Sequence, residues 1–87
     1  MTKETAIKIL NQKLEIVGIK RFKNVIAFLN TFETPELALQ KYMENTSTKE
    51  WDAFGNRLQN NGVYRYSPNC LERFFKDVHE SLLISKN

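Results

Sequence analysis

Apolar residues recur along this chain at helical spacing. Ile7, Leu10, Leu14 and Val17 stand 3, 4 and 3 positions apart, one stripe of a helix from about Lys3 to Val17. Thr2 can cap its start, and Gly18 suits the left-handed residue after its end. A second stripe, Phe22, Val25, Ile26, Leu29 and Phe32, predicts a helix from about Lys20 to Thr31. "TPEL" opens a third: Thr34 as cap, Pro35 in the first turn, Glu36 at the positive end of the dipole. It carries Leu37, Ala38, Tyr42 and Met43 and fades at "ENTS".

"STKE" starts the fourth helix. Ser47 and Glu50 have capping-box spacing, the hydroxyl serving the third amide and the carboxylate the cap amide. Trp51, Phe54 and Leu58 follow on one face. Gly55 inside this helix costs about 1 kcal/mol against alanine, which suggests close approach of another helix. "NNG" ends it, with Gly62 free to take positive φ. In the fifth, Ser67 is the expected cap and Pro68 the first residue, and Leu71, Phe74, Phe75, Val78 and Leu82 form the stripe to about Leu83. Pro68 keeps Ser67 out of helical geometry, so Val63 to Tyr66 is expected to be extended. The pattern predicts an all-α, compact single-domain bundle of about five short helices over residues 1–87, without repeats or a dividing linker.

Composition agrees with a small folded domain. Of the 87 residues, 41% are hydrophobic and 26% charged, which suits a soluble globular chain rather than a disordered one. No apolar run reaches the roughly 18 residues of a membrane span, and the first ten residues lack a signal-peptide apolar region, so neither membrane insertion nor export is expected. A lone cysteine, Cys70, leaves no internal disulfide and fits a reducing cytoplasm.

Catalytic chemistry is sparse. The single histidine, His79, and Cys70 lie nine positions apart on one helix and point in opposite directions at about 100° per residue. They make neither a nucleophile–base pair nor a zinc site. The three glycines stand apart, so there is no phosphate loop, and the carboxylates are surface helix neighbours. The expectation is a protein that is not an enzyme and needs no cofactor.

What remains is binding. The net charge of +3 is uneven: residues 1–32 carry +4, 33–52 carry −3 and 53–87 carry +2. Lys20, Arg21 and Lys23 in "KRFK", with Lys13 nearby, form a candidate basic patch for phosphates or an acidic protein. The plainer alternative is a solvated helix start with Phe22 turned inward. "VYRY" places Tyr64, Arg65 and Tyr66 on a connecting segment, the residue types enriched at interface hot spots, as a candidate partner-binding site. Against this stands packing of the tyrosine rings on neighbouring helices with only their hydroxyls in water. The third and fourth helices have helix-turn-helix outline, but the second of them opens with Glu50 and Asp52 where a DNA reader presents Arg, Asn or Gln. Phe28, off the second stripe, is a candidate for self-association.

The segments "FLNTFETPELALQKY" and "KEWDAFGNRLQNNGVYRYSPNCLERFFK" resemble the small lysis-inhibition accessory proteins of T-even phages, over most of the chain. The resemblance implies a non-catalytic, phage-encoded cytoplasmic helper that delays lysis by binding the cytoplasmic part of the phage holin, a membrane lysis protein. No family binding residue maps onto a particular position here. The alternative reading is a helical nucleic-acid-binding or transcription-regulating protein.

Overall fold

The computed structural model describes residues 1–86. Five helices follow in order: α1 (Lys3–Val17), α2 (Ile19–Thr31), α3 (Pro35–Glu44), α4 (Thr48–Gln59) and α5 (Cys70–Ser85), with no strand among the described residues. The radius of gyration is 12.2 Å, against about 12 Å expected for a compact chain of this length. α5 is the central element. It packs most extensively on α1, then on α3 and α4, while α2 bridges α1 and α3.

Local chemistry sets most boundaries. The Thr2 hydroxyl accepts from the Thr5 amide, Thr34 from the Leu37 amide and Ser47 from the Glu50 amide, each satisfying an otherwise free first-turn donor. Ser47→Ala is expected to cost about 1 kcal/mol, read as a lower urea midpoint with unchanged slope. Glu50 does not complete the capping box. Its carboxylate instead receives the Arg21 guanidinium at 2.6 Å, tying α4 to α2.

Gly18 alone separates α1 from α2. Its φ of 91° and ψ of 156° lie in a region essentially reserved for glycine, and it is the only described residue with positive φ in the left-handed half of the map. Gly18→Ala meets no atom within 4 Å, so its cost is backbone strain alone, about 1–3 kcal/mol. Thermal unfolding of this variant measures it.

The segment between α4 and α5 departs from expectation. Val63 to Tyr66 is not extended but part of two successive turns, closed by Tyr64 N–H to the Asn61 carbonyl at 3.2 Å and Ser67 N–H to the Tyr64 carbonyl at 3.1 Å. Gly62 takes no positive φ. Ser67 and Pro68 precede the helix rather than opening it. α5 begins at Cys70 after Asn69, which makes no side-chain cap. The reason is Tyr64: the double turn carries its ring into the core, which an extended path would not. Gly55 shows no close helix approach either, since a Cβ there would meet nothing within 4 Å.

The core is aromatic. Phe54 meets Phe74 edge-on at 5.3 Å and Tyr42 edge-on at 5.7 Å, and Tyr42 meets Phe75 at 5.6 Å. All four rings are buried. Phe28 is half-buried, with its ring on Phe32 and Tyr42, so its off-stripe position is largely used within the fold. On α1 the buried set is Ala6, Lys13 and Val17, while Ile7 is exposed, so the helix is rotated relative to the stripe read from its sequence.

Candidate functional site

The "VYRY" segment divides. Tyr66 is 88% exposed, with the Arg65 guanidinium 5.6 Å from its ring centre. Tyr64 is fully buried, which removes it from the expected partner-binding site. Its hydroxyl donates to Asp77 Oδ2 at 2.7 Å, its ring packs on Phe74, and the Lys13 and Arg73 cations lie 4.7 and 5.4 Å from its centre. Both cations are within the range where a ring face attracts positive charge. Tyr64 therefore anchors the connecting segment to α1 and α5.

The basic patch also disperses. Lys13 is only 4% exposed and faces the Tyr64 ring, which corrects the surface placement read for it. Arg21 is held by Glu50. Lys20 and Lys23 remain exposed. Lys20 lines a cleft at the α1–α2 corner together with Arg21, Asn24, Glu50 and Arg57. Arg57 uses its Nε to donate to the Ile16 carbonyl at 3.0 Å, serving the open C-terminal end of α1.

Burial, and then the bond to Asp77, raises the Tyr64 hydroxyl pKa above its ordinary 10.0. Burial likewise raises Tyr42. The stability each contributes is complete below pH 10 and falls as pH rises beyond it, because the unfolded tyrosine ionises first. Lys13 works the other way. Burial lowers it from 10.5, partly countered by Asp77, so stability grows as pH climbs to 10.5 and no further. Above about pH 10.5 the Lys13 gain has ended and the tyrosine loss continues, joined by that of the exposed Lys76, whose bond to Glu72 raises it above 10.5. Stability is expected to decline there, less steeply in Tyr64→Phe, as read by urea unfolding at stepped pH.

A groove absent from the expected site residues lies across α3, the start of α4 and α5. It encloses about 750 Å³ and is lined by Glu36, Leu39, Gln40, Met43, Glu44, Thr48, Trp51 and Glu72. On α3 these positions follow i, i+3, i+4, i+7 and i+8, one side of the helix. Thr48 and Trp51, three apart, bring the first turn of α4 alongside. Leu39, Met43 and Trp51 are half-buried, resting on the core and reaching the groove. Its charged lining is all carboxylate. Lys76 reaches Glu36 at 3.4 Å and Glu72 at 3.1 Å, and Lys41 reaches Glu44 at 3.4 Å. These pairs are exposed and of little energetic weight. A backbone hydrogen bond in the first turn of α3, then Lys76, holds Glu36 below its ordinary value, so it is ionised at neutral pH.

The groove had a sequence signal. Ala38 and Tyr42 account for the core side of α3. Leu39 and Met43 form a second apolar pair four apart, rotated about 100° from the first. A ten-residue helix with two apolar sides has one more than its own core requires. Compared with protein families, characterised proteins and solved structures, the chain matches none.

Proposed function

We propose that this chain is a non-catalytic protein-interaction domain that acts by occupying a partner. One observation carries the reading: an apolar groove with tryptophan and methionine in its lining, in a chain whose one histidine and one cysteine stand nine positions apart on α5. Cys70 is buried at the α4–α5 contact, its sulfur 3.6 Å from the Gln59 side-chain amide and 3.9 Å from the Gly55 carbonyl, neither of them an acid or base. Tryptophan is a common hot-spot residue, and methionine adapts its shape to what covers it. The resemblance to the T-even lysis-inhibition accessory proteins names a partner class: the domain is a phage-encoded cytoplasmic regulator that binds the cytoplasmic part of a holin and delays lysis. No helix among the described residues is long and apolar enough to cross a membrane, which is consistent with acting on a membrane protein from its aqueous side.

The test is capture of partners by the tagged full chain from host lysate, with and without nuclease. A membrane lysis protein retained after nuclease is the expected result. Loss of every partner on nuclease treatment overturns the reading in favour of nucleic-acid binding. In that case Lys20 and Lys23 are the exposed cations to mutate, and affinity should fall steeply with salt as counterions are released.

A further inference from the structure

We infer that the groove between α3 and α4 receives a basic amphipathic helix of a partner protein. This rests on the protein-interaction reading and specifies its site. Leu39 and Met43 run along α3 and Trp51 stands beside them, an apolar strip bordered by Glu36 and Glu72 with Glu44 further along α3. α3 has 10 residues, hence about 15 Å of length. That matches two to three turns of a docked helix with apolar anchors at i, i+3 or i+4, and i+7.

Charge selects the kind of helix. No basic side chain lines the groove, and residues 33–52, which include all of α3 and the first turns of α4, carry −3. Lys41 and Lys76 offset part of this through exposed contacts that an incoming cation can replace. A helix with lysine or arginine beside its apolar face gains these carboxylates, and an acidic one is repelled.

A second copy of this chain does not supply such a helix. Its exposed large apolar side chains are Met1, Ile7, Ile19, Val63, Tyr66 and Leu83. Among the described residues no helix carries more than one of them, so none offers the repeated anchors the groove fits.

Trp51 is the sole tryptophan of the sequence, so its fluorescence reports on the groove itself. The experiment titrates the purified full chain with two synthetic 14-residue peptides free of aromatic residues. They share leucines at i, i+4, i+7 and i+11 and differ only in lysine or glutamate at the flanking positions. The expected result is a saturable blue shift with the lysine peptide, weakening with salt, and at least tenfold weaker binding of the glutamate peptide. Trp51→Ala, followed by calorimetry, should lose roughly thirtyfold in affinity, the scale of a hot-spot residue. Glu36→Lys with Glu72→Lys alters one exposed and one half-buried position and should abolish the preference for lysine while helicity is retained. Equal binding of both peptides, a preference that survives these reversals, or a concentration-dependent dimer that shields Trp51 each overturns the inference. If the full chain retains a nuclease-resistant partner and Trp51→Ala retains it equally, the interaction reading stands and the groove assignment falls. If wild-type protein retains no partner, the interaction reading itself falls.

Discussion

Tyr64→Ala is expected to destabilise the domain by about 3–5 kcal/mol, the range for removing a buried aromatic ring. A domain of this size holds roughly 4–13 kcal/mol in all, so the variant is close to unfolding at room temperature. The loss has two parts. The cavity and the missing contacts with Phe74, Lys13 and Arg73 make up one share. The rest is the hydroxyl bond to Asp77, a bond to a charged acceptor worth about 1.5–3 kcal/mol. Tyr64→Phe isolates the second part. At 4–8 °C per kcal/mol it should lower the melting temperature by roughly 5–25 °C, with helicity at 20 °C nearly unchanged. If Tyr64→Ala melts within a degree or two of the wild type, the ring is not part of the core and the account of the double turn is wrong. This variant also clarifies partner binding. Lost binding in Tyr64→Ala reports lost folding, whereas lost binding in Arg65→Ala or Tyr66→Ala reports the surface.

Phe54→Ala carries the other large effect, about 3–5 kcal/mol and toward the upper end. Phe54 is fully buried and makes edge-on contacts with both Tyr42 and Phe74, each worth about 0.5–1.5 kcal/mol beyond area burial. It links α4 to α3 and α5 at once. Urea unfolding should show a large drop in midpoint, and a double-mutant cycle with Phe74→Leu should return a coupling of about 0.5–1.5 kcal/mol. Zero coupling would mean the edge-on contact adds nothing to simple burial. Because Tyr64 also packs on Phe74, the Tyr64 and Phe54 truncations share a partner and should not add.

The helices were legible because their signals are local. Thr2, Thr34 and Ser47 cap the helices they precede, and Gly18 takes the positive φ read for it. Where expectation failed, the deciding interaction spans the fold. Glu50 is drawn from its capping box by Arg21, 29 positions away. The start of α5 is shifted by burial of Tyr64, whose ring partners lie on α1 and α5. Lys13 looked like a surface cation because it is a lysine. Yet it continues the series Ala6, Leu10, Lys13, Leu14 and Val17, which is the inner face of α1, and its long aliphatic stem suits such a place. The groove was readable as Leu39 and Met43 near Trp51 only once the first turn of α4 was known to share a lining with α3 and α5.

The close packing of α1 on α5 has a consequence for how the chain comes to be folded. The first and last helices are joined by about fifty residues, and closing so long a loop costs entropy before any of their contacts form. While the protein is being made, α1 has only its smaller contacts with α2 and α4 and lacks its most extensive partner until residues 70–85 have left the ribosome. Lys13 must then be desolvated at the same moment as Tyr64 and Asp77 arrive to receive it. The nascent chain should thus lack protease resistance until α5 emerges and then acquire it in a single step, with α1 among the last elements to become protected.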